Sequence, residues 1–433
     1  MAEGFIFNHN MCAGCRACIA ACLLENRWTF APRMVYTFNS AAKPSQPVVN
    51  ISLACNHCKN AICLDSCPAS AYFREPTTGA IIIDESKCIG CRYCQWNCPY
   101  DAPKYQIVQG VIGKCNLCYD RLLDGMTPAC SSACPTGALT FGTITQPSVN
   151  DTVPWLPEKN LEPGLELRGT VLPALKIFPS NQFESEPVKN PADRSEFTRE
   201  WSLVAFSFLT ILSVSQSISS LISGTFPEKI QFIAIILLAG LMSLLHLGKK
   251  ERAWRALDNF KSSPLSREIA LFVLYSGMAS VAAVIQLPFL LILSSVTGLA
   301  LLLTVDSVYL FTDNRKSVYL HSGQAFLTGL LIVSFITGMK LPFAFIGAVK
   351  LAASLISMSN NRNDKTIYSI RFIRSALLVI TGTSLISNIS YPEISVLLLF
   401  LAGELLDRIL FYLDFKPLNI NRLINNNAIG TSI

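Results

Sequence analysis

CIGCRYCQWNCPYDAPKY, residues 88–105, carries four cysteines at the spacing C-x2-C-x2-C-x3-C, with a proline after the last. CAGCRACIAAC, residues 12–22, repeats that spacing. Two further groups keep C-x2-C at the start and C-x3-C at the end around longer inserts. All sixteen cysteines of the 433-residue chain therefore fall into four quartets: Cys12, Cys15, Cys18, Cys22; Cys55, Cys58, Cys63, Cys67; Cys88, Cys91, Cys94, Cys98; and Cys115, Cys118, Cys130, Cys134. A cubane presents four iron corners, and cysteines three apart on a short loop reach three of them. The fourth thiolate comes from elsewhere; in two-cluster ferredoxins it is the last cysteine of the other run. Gly14 and Gly90 suit a backbone that turns tightly beside a cluster. Disulfides fit a small secreted chain. Structural zinc uses paired knuckles without a third cysteine three residues on, and isolated reactive thiols do not recur as quartets. The pattern predicts [4Fe–4S] clusters.

Composition divides the chain into two physical types. It is 51% hydrophobic and 15% charged overall, but residues 1–198 are polar and loop-rich whereas 200–413 form successive apolar runs. The net charge of +6 concentrates between those runs, where membrane topology explains it better than nucleic acid does. The start, Met1-Ala2-Glu3-Gly4-Phe5, has no basic region, long apolar stretch or twin arginine, so metal loading is expected in the cytoplasm. Val48–Leu53 and Ala80–Ile83 read as strands. Trp96, Tyr93, Tyr100 and Tyr105 surround the third quartet and are expected to pack over a cluster. Residues 146–198, with eight prolines, read as an extended linker lying over the soluble part.

The stretches GFIFNHNMCAGCRACIAAC, CNHCKNAICLDSCP, CIGCRYCQWNCPYDAPKY and KCNLCYDRLLDGMTPACSSACPTGAL make residues 1–145 resemble the iron–sulfur subunit of the dimethyl sulfoxide reductase family of molybdenum oxidoreductases. The resemblance implies two ferredoxin-like α+β units and a crossed ligand pattern. One cluster takes Cys12, Cys15, Cys18 and Cys134, and its neighbour takes Cys115, Cys118, Cys130 and Cys22. A third takes Cys55, Cys58, Cys63 and Cys98, and the fourth Cys88, Cys91, Cys94 and Cys67. Relatives such as respiratory nitrate reductase have tryptophan in the place of Cys94 and carry a three-iron cluster. With cysteine there, the resemblance implies four [4Fe–4S] clusters.

Eight apolar runs follow, at about 200–222, 229–248, 269–286, 288–311, 323–339, 342–358, 375–390 and 393–413. Most approach the ~20 residues that a helix needs to cross a hydrocarbon core. They predict an all-α membrane bundle of about eight transmembrane helices, residues 199–433. An even count puts both ends on one side. Lys249, Lys250, Arg252, Arg255, Lys261, Arg267, Arg315, Lys316, Arg362, Lys365, Lys416 and Arg422 share that side, and chiefly Lys229 and Lys340 oppose them. The cysteine-rich part is therefore expected to face the cytoplasm of a bacterial inner membrane. LLHLGKKERAWRALDNFKSSPLSREI (244–269) and GELLDRILFYLDF (403–415) resemble the membrane anchor of the same family, which is normally a separate subunit.

Charged groups inside a bilayer are functional candidates by default. His246, Asp306 and Asp407 are the expected quinol-site residues, with the imidazole as base; Glu404 and Arg408, four apart, are expected to neutralise each other. Four histidines, His9, His57, His246 and His321, are too few for a two-haem anchor, so no haem is expected. No dinucleotide or phosphate-binding fingerprint is convincing, and substrate chemistry is expected of a molybdopterin-containing partner. The expected function is quinol (menaquinol) oxidation with relay to that partner. The alternatives are the reverse flow, from a substrate-oxidising partner into the quinone pool, and a transporter or redox sensor with a ferredoxin cap.

Overall fold

A computed structural model describes residues 3–38, 48–145, 160–169, 196–310, 321, 323–360, 365–387 and 393–415. Arg315, Lys316, Arg362, Lys416 and Arg422 of the charge argument lie outside the described residues. The chain divides into two units. The first contains the amino-terminal part and Gly248–Ser263, and the second contains the remaining helices.

The first unit is an α+β body of short elements around cysteine loops. Strand β1 (Glu3–Asn8) alternates, burying Phe5 and Phe7, the period-two pattern of a half-buried strand. It is the middle strand of a three-stranded sheet, antiparallel to β8 (Leu139–Thr143) and parallel to β9 (Leu165–Arg168). Three two-stranded ribbons complete the sheet structure: β2 (Met34–Phe38) with β3 (Val49–Leu53), β4 (Tyr72–Arg74) with β5 (Ile81–Ile83), and β6 (Lys104–Gln106) with β7 (Val111–Gly113). The two strands expected from sequence are thus β3 and β5. Within the segment expected to be a linker, Leu165–Arg168 form β9 and pair with β1, while most of its other residues lie outside the described ones. Phe5, Phe7, Val49, Ile51, Leu53, Leu139 and Leu165 share one core with Cys18 and Cys130.

Helix α1 (Ala17–Asn26) is rich in alanine and leucine, good helix formers. It begins and ends at left-handed residues, Arg16 and Arg27. Its Cys18 and Cys22 are one turn apart, on one face, and both buried. The other α-helices of this unit are single turns: α2 (Ile62–Asp65), α3 (Tyr93–Asn97), α4 (Tyr119–Leu123) and α5 (Ala129–Ser132); Lys250–Leu257 form a longer 3-10 helix. Tyr93 is buried and meets the edge of Trp96.

The second unit holds α6 (Glu196–Ser223), α7 (Lys229–Leu245), α8 (Pro264–Ile285), α9 (Pro288–Leu310), α10 (Ala325–Ile336), α11 (Lys340–Asn360), α12 (Lys365–Ser387) and α13 (Glu393–Asp414). Each of the eight apolar runs holds one of these helices among the described residues. By length and composition, however, four described helices are long and apolar enough to cross a membrane, or five if α7 is joined with residues 250–257. Helix α10 is short, and α12 carries Arg371 and Arg374 inside its span. A serine face on α6 packs inward: Ser215 donates to the carbonyl of Gly329 at 3.1 Å, and Ser217 bonds Tyr275 at 3.1 Å. Small hydroxyl residues allow close helix approach where lipid offers no hydrophobic drive.

Candidate functional site

All sixteen cysteines are free thiols, and the backbone that presents them is repetitive. In every quartet the residue two after the first cysteine is left-handed: Gly14, His57, Gly90 and Leu117. Three quartets end in Cys-Pro, and there the residue three after the last cysteine is left-handed as well: Ser70, Asp101 and Gly137. The first quartet lacks that proline, and its last cysteine instead sits inside α1. Left-handed residues fold successive N–H groups toward one side, which makes a concavity for an anion. Amides already point at sulfur: Ala71 N lies 3.4 Å from Cys67 Sγ, Ile112 N 3.5 Å from Cys88 Sγ, Leu117 N 3.4 Å from Cys115 Sγ, and Leu139 N 3.4 Å from Cys134 Sγ.

The thiols gather across the quartets. Burial raises the pKa of Cys12, and the neighbouring Cys18, Cys134 and Cys15 raise it further. Burial pushes Cys22 up to about 12, with Cys130 and Cys118 beside it. Cys58 is raised by burial and by Cys55, Cys98 and Cys63. Cys94 is raised by burial and then by Cys91, Cys67 and Cys88. Each gathering draws one cysteine from a different run. Further interactions link them: Cys22 with Cys18, Cys115 with Cys55, and Cys63 with Cys67.

Thiols this buried ionise poorly alone, so a bound cation cluster suits the donor set. Among the described residues no three His, Cys, Asp or Glu groups converge where a single ion would sit; cubane ligands instead hold four separate corners. Arg33 is 2% exposed and bonds Ser52 Oγ at 3.1 Å. Burial works against its charge, but the thiols of Cys130, Cys115, Cys18 and Cys22 outweigh it and raise its pKa. Lys114, equally buried, donates to the carbonyls of Ile81 and Cys115. Two buried donors, Arg33 Nη2 and His57 Nε2, have no hydrogen-bond partner among the described residues. An anionic group between the thiols would satisfy donors of this kind. Sequence reasoning missed Arg33 and Lys114; a cation needing a partner inside a neutral-looking core was the available signal.

In the second unit, His246 caps the carboxyl end of α7. Asp306 accepts backbone N–H bonds from Ala325 at 2.8 Å and Phe326 at 3.0 Å, at the start of α10. Asp407 is buried between Lys350 at 2.9 Å and Arg374 at 3.2 Å. Glu404 pairs with Lys350 and stands 3.6 Å from Arg374. Arg408 turns to Ser207 Oγ at 2.8 Å, to the Gly323 carbonyl at 2.9 Å and to Asp306 at 4.0 Å. The expected Glu404–Arg408 pair is therefore replaced by partners on other helices. Lys350 also bonds Thr328 Oγ1 at 2.8 Å. Arg371 and His321 both meet Asp414.

These features define a class: an iron–sulfur electron carrier followed in the same chain by a membrane anchor. Residues 48–144 match the 4Fe-4S dicluster domain, and residues 199–310 match the DMSO reductase anchor subunit. The chain is 36% identical over 151 residues to one chain of the anaerobic dimethyl sulfoxide reductase of Escherichia coli (strain K12), covering 33% of this chain and 73% of that one. It is 33% identical over 165 residues to a subunit of the sulfite dehydrogenase of Allochromatium vinosum, covering 33% and 69%. It is 34% identical over 161 residues to the thiosulfate reductase electron transfer subunit of Salmonella typhi, covering 36% and 82%. The chain belongs to the dimethyl sulfoxide reductase family, as an electron-transfer iron–sulfur subunit joined to its membrane anchor.

Proposed function

We propose that this protein oxidises quinol at the cytoplasmic face of the bacterial inner membrane and serves a molybdopterin-containing catalytic subunit through four [4Fe–4S] clusters. The observation that carries the reading is the order of the thiol gatherings. The set of Cys12, Cys15, Cys18 and Cys134 adjoins that of Cys22, Cys115, Cys118 and Cys130 through Cys18 and Cys22. The latter adjoins Cys55, Cys58, Cys63 and Cys98 through Cys115 and Cys55, which in turn adjoins Cys67, Cys88, Cys91 and Cys94 through Cys63 and Cys67. Bound in these four sets, the clusters would supply a row of one-electron carriers. The protein's own contribution is the thiolate sets, the amides directed at sulfur, and the buried cations Arg33 and Lys114 that offset negative charge.

At the membrane end, quinol oxidation releases two protons and needs a base. His246 takes that role in this reading, because an imidazole titrates near neutrality. Asp306 and Asp407 stand behind it as relay candidates of lower rank, since their oxygens already hold backbone amides or cations. Two peptide bonds after His246 the chain reaches Gly248, about 8 Å away at most between Cα atoms, and Lys249 N donates to the carbonyl of Ile89, next to Cys88. A short covalent path thus leads from the proposed base to the cluster set of Cys88. Eight membrane crossings, with the charged helices shielded by pairing, complete the topology.

One comparison favours a second reading. The similarity to a sulfite dehydrogenase subunit suits electron flow from a substrate-oxidising partner into the quinone pool through the same parts. Both readings are tested in membranes containing the whole complex. His246→Ala should slow quinol-driven reduction of the clusters about 10²-fold, while about sixteen irons remain bound and dithionite still reduces them. An unchanged quinol rate removes His246 from the mechanism. Reduction by the partner's substrate, faster than by quinol, selects the reverse flow.

A further inference from the structure

The segment Gly248–Ser263 follows α7 in the chain but belongs to the first unit. Its contacts there converge on two loops. Arg252 donates from Nη1 to the carbonyls of Glu85 at 2.8 Å and Cys88 at 3.2 Å. Asn259 donates from Nδ2 to the carbonyls of Asp65 and Cys67, both at 3.0 Å, and from its backbone N to Pro68 at 3.1 Å. Ser263 Oγ reaches the Ser66 carbonyl at 2.8 Å. Gly248 lies so close to Gly110 that a Cβ would strike its carbonyl, as would a Cβ on Gly90. The side-chain acceptors are all backbone carbonyls at or near Cys67 and Cys88, the two loops proposed to grip one cluster from opposite runs.

Charge accompanies this geometry. Arg252 brings a cation onto the Cys88 loop, where its Nη1 is held by the carbonyls of Glu85 and Cys88. A tetrathiolate cubane carries net negative charge that grows on reduction, and net charge and hydrogen bonding set its potential. A guanidinium whose Nη1 donates to two carbonyls is a stationary cation, so it favours the reduced state.

We infer that the anchor-derived segment forms one wall of the Cys67, Cys88, Cys91 and Cys94 cluster site. Arg252 sets that cluster's reduction potential, and Asn259 holds the two ligand loops in register. The inference rests on the proposed ligand sets. It gives the anchor sequence a second task besides holding the protein at a membrane: it tunes the carrier that its own chain adjoins.

The experiment is a redox titration of the whole complex in membranes, followed by electron paramagnetic resonance. Cys94→Ser first identifies the signal of this cluster. Arg252→Met should then lower its reduced-to-oxidised ratio about tenfold at the wild-type midpoint, ~59 mV for one electron, with the other signals unmoved. Arg252→Lys, which keeps the charge, should recover most of the shift. Asn259→Ala should leave the potential near wild type but release that cluster's iron to a chelator faster. No shift in Arg252→Met, an equal shift in every signal, or an equal loss in Arg252→Lys overturns the role of Arg252. If no signal of the wild-type complex responds to Cys94→Ser, the ligand set itself fails, and the inference falls with it.

Discussion

Lys350→Met tests whether the charges buried in the helical unit act as one network. Lys350 is 0% exposed and its ammonium faces Glu404, Asp407 at 2.9 Å and Thr328 at 2.8 Å. Its removal leaves two carboxylates with Arg374 between them, 3.2 Å from Asp407 and 3.6 Å from Glu404. Breaking a buried pair costs about 3–5 kcal/mol, because one charge is left uncompensated. Arg374 still attracts Glu404 by about 5 kcal/mol at an effective dielectric of ~20, so the loss should lie at the lower end, about 3 kcal/mol. Adding Glu404→Gln removes the surplus negative charge and leaves Arg374 with Asp407. The double variant should therefore be more stable than the sum of the single losses, by about 1–2 kcal/mol. Unfolding in mixed micelles, followed by circular dichroism, supplies the four values of the cycle. A Lys350→Met loss under about 0.5 kcal/mol, or strictly additive losses, would refute the network.

Gly248→Ala should push its segment off the Gly110 carbonyl, a strain of about 1–3 kcal/mol for an overpacked site; limited proteolysis should then cut between Gly248 and Ser263 faster, and an unchanged rate would show that the close approach is not held. Reporters fused after Asp258 and Ile433 should signal the cytoplasm and one after Gly338 the opposite face, as the basic loops require; the inverse pattern would reverse the proposed orientation.

Local spacing carried most of what the sequence revealed. Cysteine quartets announce themselves because cluster ligands must sit three residues apart on a loop, and the apolar runs because a membrane helix must hide its backbone. Long-range pairing was hidden. Strand β1 alternates legibly at Phe5 and Phe7, but its partners begin at Leu139 and Leu165, more than 130 residues away. The same limit misled the local reading of Glu404 and Arg408, whose separation of four suggests a pair on one helix surface. In the folded bundle their partners come from α6, α9, α11, α12 and the residues before α10. The apolar run that begins at residue 375 leaves out Arg371 and Arg374, because charge avoids lipid. They lie within α12 because Asp414 and Asp407 meet them there.

The position of β9 determines where this protein can be cut. A fragment ending at residue 145 contains every cysteine, and by composition it looks like a natural soluble piece. Yet β1 is the middle strand of its sheet, and β9 supplies one of its two neighbours. The same strand brings Glu166, whose carboxylate accepts the N–H of Thr145 at 2.9 Å. A fragment cut at 145 would bare a row of unpaired backbone groups along β1, inviting edge-to-edge aggregation. A fragment carried past Arg168 keeps the sheet closed on that side, which makes it the better starting point for preparing the cysteine-rich half alone.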